Sequence, residues 1–133
     1  MKKLVFYISI ILMVSCNASK SKPTFNDPLE SGREFIDASL KGDYDRAKTY
    51  MLIDSTNIRL LESLQDFYKK MTPAEKEGYK NANIIINPSE AVTDTTQVIN
   101  YTNTYKNKPS RIRVVKRNNE WRVDFKYTFS TDM

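Results

Sequence analysis

The sequence predicts an α+β domain: N-terminal helices packed in the concave face of a curved antiparallel sheet of about four strands. Three observations carry this. Helix-start signals recur through residues 27–83, at Asp27-Pro28, Asp43, Asp54 and Thr72-Pro73-Ala74-Glu75. After Asn83 the apolar pattern changes from helical to alternating, and β-branched and aromatic residues dominate. Asn118-Asn119 then separates two alternating runs whose facing residues complement one another in a hairpin.

Ahead of the domain, Lys2 and Lys3 precede an apolar run at 4–14 and the small Ser15. A bilayer-crossing helix needs about twenty consecutive apolar residues, and this run is half that length. It reads as a secretory leader, residues 1–15, removed on export. Leu12-Met13-Val14-Ser15-Cys16 resembles the lipobox of bacterial lipoproteins, with cleavage between Ser15 and Cys16. The resemblance implies a diacylglyceryl group on the Cys16 sulfur and a further acyl chain on its new amine. Each buried methylene contributes ~0.8 kcal/mol and one chain binds only marginally, so several chains give a durable membrane anchor. Residues 16–26 become the lipidated cysteine and a small, polar tether, and 27–133 a single folded domain. Asn17 is not the acidic residue that retains similar lipoproteins at the inner membrane, and Lys20 and Lys22 do not resemble acidic surface-export signals. The implied location is therefore the cell envelope, at the outer membrane and facing the periplasm.

One cysteine excludes an internal disulfide, so core packing holds the domain. Loss of Lys2 and Lys3 lowers Lys+Arg from 21 to 19 against 16 Asp+Glu, and the formal charge falls from +5 to +3. Such a mild excess in an exported chain does not suggest a nucleic-acid partner. Zero His removes the commonest acid–base residue and metal ligand, and 3 Gly leave no room for a phosphate-cradling loop. No cofactor or metal is expected.

Asp27-Pro28-Leu29-Glu30 combines an N-cap, a first-turn proline and a first-turn acid. Leu29, Ile36 and Leu40 share a side of this helix with Phe35 beside them, and Gly42 closes it in the left-handed conformation. Asp43 caps a second helix with Tyr44, Ala47 and Met51 inward. A third begins at Asp54 or Ser55; its apolar stripe, from Leu60 and Leu61 through Leu64, Phe67 and Tyr68 to Met71, reads as core. Thr72 and Glu75 form a capping box for a short fourth helix.

Strands are predicted at 84–86, 95–105, 111–117 and 121–129. With Asn118-Asn119 as a two-residue turn, Arg117 faces Glu120, Val114 faces Val123, Arg113 faces Asp124 and Ile112 faces Phe125. A turn at Asn107-Lys108 would place Tyr105 opposite Ser110 and Tyr101 opposite Val114. The inner face then collects Tyr101, Asn103, Tyr105, Trp121 and Tyr127 as candidate pocket residues. Arg111, Arg113, Arg122 and Lys126 form a basic outer face.

Glu34-Phe35-Ile36-Asp37-Ala38 with Lys41-Gly42-Asp43-Tyr44-Asp45-Arg46-Ala47, then Val114-Val115-Lys116 and Asn118-Asn119-Glu120-Trp121-Arg122-Val123-Asp124, resemble the two ends of a nuclear transport factor 2-like domain. More narrowly, they are similar to lipoproteins of unknown function carrying that cystatin-like fold. The resemblance implies a cone, in which a bent sheet wraps the helices and leaves an apolar pocket at its open end. It implies no reaction.

Three functions remain open. The first is a non-enzymatic binding or accessory domain, taking a small apolar ligand or an envelope protein in a pocket with polar tips. The second resembles ketosteroid isomerase, with an interior acid working beside Tyr101 or Tyr105; a carboxylate within hydrogen-bond reach of a tyrosine at a real cavity would promote it. Asp124 alternates with the inward residues, so it belongs beside Arg113 outside the pocket, while Asp37 and Asp43 read as a solvated helix acid and an N-cap. The third uses the basic face against anionic envelope components, where a sheet-to-sheet homodimer would compete. For the anchor, Cys16→Ala is expected to abolish fatty-acid labelling and mature-size processing; persistent labelling of the variant would refute the lipobox assignment.

Overall fold

In the computed structural model the described residues are 22–130. The leader, the Ser15–Cys16 cleavage and lipidation site, and residues 17–21 of the tether lie outside them. The chain forms α1 (Pro28–Leu40), α2 (Tyr44–Thr49), α3 (Ser55–Lys70) and α4 (Pro73–Lys80). These precede β1 (Ile84–Ile86), β2 (Glu90–Thr93), β3 (Thr96–Asn103), β4 (Pro109–Arg117), β5 (Glu120–Asp124) and α5 (Tyr127–Ser130). The architecture is α+β, helices plus a five-stranded antiparallel open sheet.

Each of the first four helices starts where a side-chain oxygen takes an otherwise unpaired first-turn N–H. Asp27 accepts from Glu30 (2.8 Å), Asp43 from Arg46 (3.1 Å) and Asp54 from Asn57 (2.8 Å). Thr72 and Glu75 make the reciprocal capping box. Gly42 lies at φ +75° directly after the last turn of α1, where a side chain would be strained.

β4 and β5 turn through Asn118 (φ 50°) and Asn119 (φ 64°), and Arg117 faces Glu120, Val114 faces Val123 and Arg113 faces Asp124, as the sequence predicts. β3 lies on the other side of β4. Two short strands share the far edge of β3: β1 along residues 101–103 and β2 along 96–98. The outer edge of β5 is covered by the α2–α3 connection, since Leu52 N–H donates to Val123 O (2.9 Å) and Val123 N–H to Tyr50 O (2.8 Å).

Four predicted details differ. β2 adds a fifth strand; every residue in it is exposed and a bulge interrupts it between Ala91 and Thr93, so it leaves no apolar alternation to read. β3 stops at Asn103 rather than 105, because the Asn103 carboxamide oxygen takes the Lys106 N–H (2.9 Å) and its carbonyl the Asn107 N–H (2.9 Å). Residues 104–108 thus form a loop, and Tyr101 pairs with Ser110, and Ile99 with Ile112, four positions from the expected register. An even shift preserves the faces. The last strand ends at Asp124 rather than 129, as Asn57 Oδ1 takes the Lys126 N–H (2.8 Å) and the chain turns into α5. Finally, of the α3 stripe only Leu61 is buried, and Phe67 is 61% exposed.

The core lies between α1 and the inner sheet face: Phe35, Ile36 and Ala38 against Ile99, Ile112, Val114 and Val123, with Phe35 and Phe125 rings 5.1 Å apart. Fully buried Asn57 joins α3 to this unit. Its Nδ2 donates to Asp54 (2.9 Å) and Asp124 (3.3 Å), and its Oδ1 holds Lys126 N–H. Truncation would leave the half-buried Lys126 N–H without its acceptor, at about 1–3 kcal/mol, and would remove one of the donors that hold the buried Asp124 carboxylate. Asn57→Ala is therefore expected to lower unfolding stability by roughly 2–4 kcal/mol in urea titration; a loss under 0.5 kcal/mol would show that these bonds are dispensable.

Candidate functional site

α3 is fixed at its first turns by Asn57 and Leu61; beyond them Leu64 and Tyr68 are only partly buried against the core and, with Phe67 and Met71, border a cavity of about 270 Å³ that also reaches the core side chains Phe35, Ile36, Tyr44 and Phe125. α1 supplies Leu40 and Ser39, α3 Leu64, Phe67 and Tyr68, and the sheet Tyr101, Asn103 and Ser110. Tyr79 of α4 completes the wall. Other surface depressions, of about 440 to 770 Å³, lie near Lys22 and beside residues 80–84, and charged side chains line them. The 270 Å³ cavity differs in kind: its walls are aromatic, aliphatic, hydroxyl and amide, with no Asp, Glu, Lys or Arg among them.

The polar atoms of the wall are mostly committed. Ser39 Oγ donates to Phe35 O (2.8 Å), Tyr44 Oη to Leu64 O (3.4 Å) and Tyr68 Oη to Lys41 O (3.5 Å). Tyr101 is hydrogen-bonded to Ser110; desolvation pushes its phenol pKa up, and that bond offsets part of the rise. Asn103 uses Oδ1 for the Lys106 N–H, which leaves its Nδ2 donors without a partner among the described residues.

Two of the five expected pocket residues, Tyr101 and Asn103, line this cavity, and three do not. Trp121 is buried in the core at the opposite end of the sheet, where it pairs with Lys116. Tyr105 sits in the 104–108 loop, where its ring meets Tyr79 (centroids 4.8 Å apart) and fills the notch at Gly78; a Cβ there would lie 2.3 Å from the Tyr105 Cε2. Tyr127 begins α5 and stacks on the Arg113 guanidinium (4.6 Å) on the outer side of the sheet, because the last strand ends three residues before it. Sequence reasoning missed the contributions of α1, α3 and α4 to the cavity. The α3 stripe was visible, but apolar periodicity does not distinguish a core from the wall of a void.

The basic face is largely neutralised. Arg113 pairs with Asp124, and Lys126 bridges Asp54 (2.9 Å) and Asp124 (3.5 Å). Arg122 pairs with Glu120 (2.6 Å), donates to Thr49 O and lies over Phe25 at 3.6 Å. Arg111 is 5.9 Å from the Tyr127 ring. Asp124 is buried and faces Arg113, as expected from its alternation, and does not reach the cavity. Asp37 is held by Lys41 (2.8 Å) and Arg46; burial alone would raise its pKa, but these cations bring it below the usual value. Asp43 is the α2 cap. Among the described residues no His/Cys/Asp/Glu group could hold a metal, and no helix is long and apolar enough to cross a membrane.

No protein-family model matches the chain, and no curated protein matches it.

Burial, and secondarily the neighbouring Tyr68 phenol, push Tyr44 from 10.0 up to about 12. An unfolded phenol ionises near pH 10, so the contribution of Tyr44 is intact below that pH and lost as pH rises towards 12. Alkaline unfolding is expected to steepen across this window, and Tyr44→Phe to flatten it; an unchanged slope in the variant would contradict the assignment.

Proposed function

We propose that the protein is a lipid-anchored cell-envelope lipoprotein whose nuclear transport factor 2-like body binds a small apolar molecule without transforming it. The observation that carries this reading is the cavity under the far half of α3. An apolar stripe at helical spacing normally closes onto a core; Leu64 and Tyr68 do so only in part and, with Phe67 and Met71, also line the cavity. A cavity near 270 Å³ falls just below the ligand-site range of about 300–1,000 Å³, which limits the occupant to a small molecule. Its uncharged wall supports binding over proton transfer, since the described carboxylates nearest the fold's interior, Asp37 and Asp124, are engaged by cations elsewhere. The cone shape, the Cys16 anchor and the outer-membrane location belong to the same proposal and rest on the sequence motifs. The ion-paired state of Arg113, Arg122 and Lys126 supports the cavity over the outer face as the binding surface.

Leu64→Trp places an indole in the void. The variant is expected to keep its circular dichroism spectrum and lose binding of the uncharged dye N-phenyl-1-naphthylamine by at least tenfold. Undiminished dye binding in a folded variant would place the apolar site elsewhere.

A further inference from the structure

Two lysines outside the cavity lining each lie over an aromatic ring that forms part of its wall. Lys106 Nζ lies 5.8 Å from the centroid of Tyr79 and 5.2 Å from that of Tyr105. Lys76 Nζ lies 5.6 Å from the centroid of Tyr68 and donates to Lys69 O (3.2 Å). Neither ammonium forms an ion pair among the described residues. Of the α4 carboxylates, Glu77 accepts from Asn81 Nδ2 (2.7 Å) and Glu75 from the Thr72 N–H (2.8 Å) and hydroxyl (3.0 Å); these Thr72 bonds, and more weakly the Lys106 charge, lower the Glu75 pKa. The open Nδ2 donors of Asn103 lie on the same turn as Lys106, because that turn is closed by the bond from Lys106 N–H to Asn103 Oδ1.

From this arrangement we infer that the cavity takes an amphiphile with a single anionic head group, its apolar tail beneath α3 and its head at the rim between Lys106, Lys76 and Asn103. The inference rests on the cavity-binding reading and specifies the ligand class. An uncharged, mostly apolar interior gains from every methylene of a hydrocarbon tail that it buries. It strongly disfavours a buried unpaired charge. A head group held at the rim keeps part of its hydration, and two ammoniums with one amide donor then select its sign. Cation–π contacts of this kind are weak when exposed, so the ammoniums can turn from the rings to an anion. Carboxylate and phosphate heads share this chemistry.

The test uses the full chain in lipid nanodiscs at pH 7.5, with empty nanodiscs subtracted, and displacement of N-phenyl-1-naphthylamine by ten-carbon competitors. Decanoate and decyl phosphate are expected to displace the dye at concentrations at least tenfold below decylamine, and raised salt to narrow that gap; the tighter of the two anions identifies the head group. Lys106→Gln and Lys76→Gln, neither of which alters a residue lining the cavity, are each expected to weaken the anions several-fold while leaving 1-decanol unchanged, which separates head recognition from any effect on the apolar site. Dye binding with equal displacement by anion and cation, or anion affinity unmoved in both variants, overturns the inference and leaves the apolar-site reading standing. Absence of dye binding to the unsubstituted chain removes both.

Discussion

A single buried amide determines where the second half of the helical layer can lie. Asn57 satisfies its carboxamide with Asp54, Asp124 and the Lys126 N–H, and so ties the first turn of α3 to the end of β5. Buried polar groups of this kind are tolerated only when fully paired, which fixes the geometry of both partners. The helix leaves this point with its remaining apolar face away from the tightest packing of α1 on the sheet. The void under Leu64 and Tyr68 is a consequence of where α3 is held, and no residue of α4 is buried enough to pull it closed.

The same network places the acid. Asp124 has two cations and an amide within reach and lies across the sheet from the apolar wall. The Asp124 carboxylate is committed to holding the fold, and the cavity keeps phenols, hydroxyls and one amide. The proposed function is partition of an apolar body out of water with recognition of its polar end at the rim. The tether enters at the other end of the sheet, where the Trp121 N–H donates to Phe25 O (2.9 Å), while Tyr101 and Ser110 mark the cavity end of the same strands. An anchor at Cys16 would therefore leave the ligand site on the end away from the point of attachment.

Much of the fold was legible because its signals are local. Asp27, Asp43, Asp54 and Thr72 each cap through a bond three residues long, and Asn118-Asn119 adopts the positive φ that its turn requires. What failed depends on distant or competing bonds. The end of β5 is set by Asn57, 69 residues earlier in the chain, and the end of β3 by an asparagine side chain that captures its own turn. Tyr101 and Asn103 were recognised because an even register error leaves the inner face unchanged. Tyr105 and Tyr127 were misplaced because their strands stop before them, and α1, α3 and α4 were missed as walls because a periodic stripe does not reveal whether anything packs against it.

Amide hydrogen exchange along α3 tests this picture most directly. Protection is expected to be high through Asn57 and Leu61, to fall beyond Leu64, and to rise in that far half alone when an apolar ligand is added. Uniform protection of all four turns, unaltered by ligand, would contradict a helix held at one end over an open site.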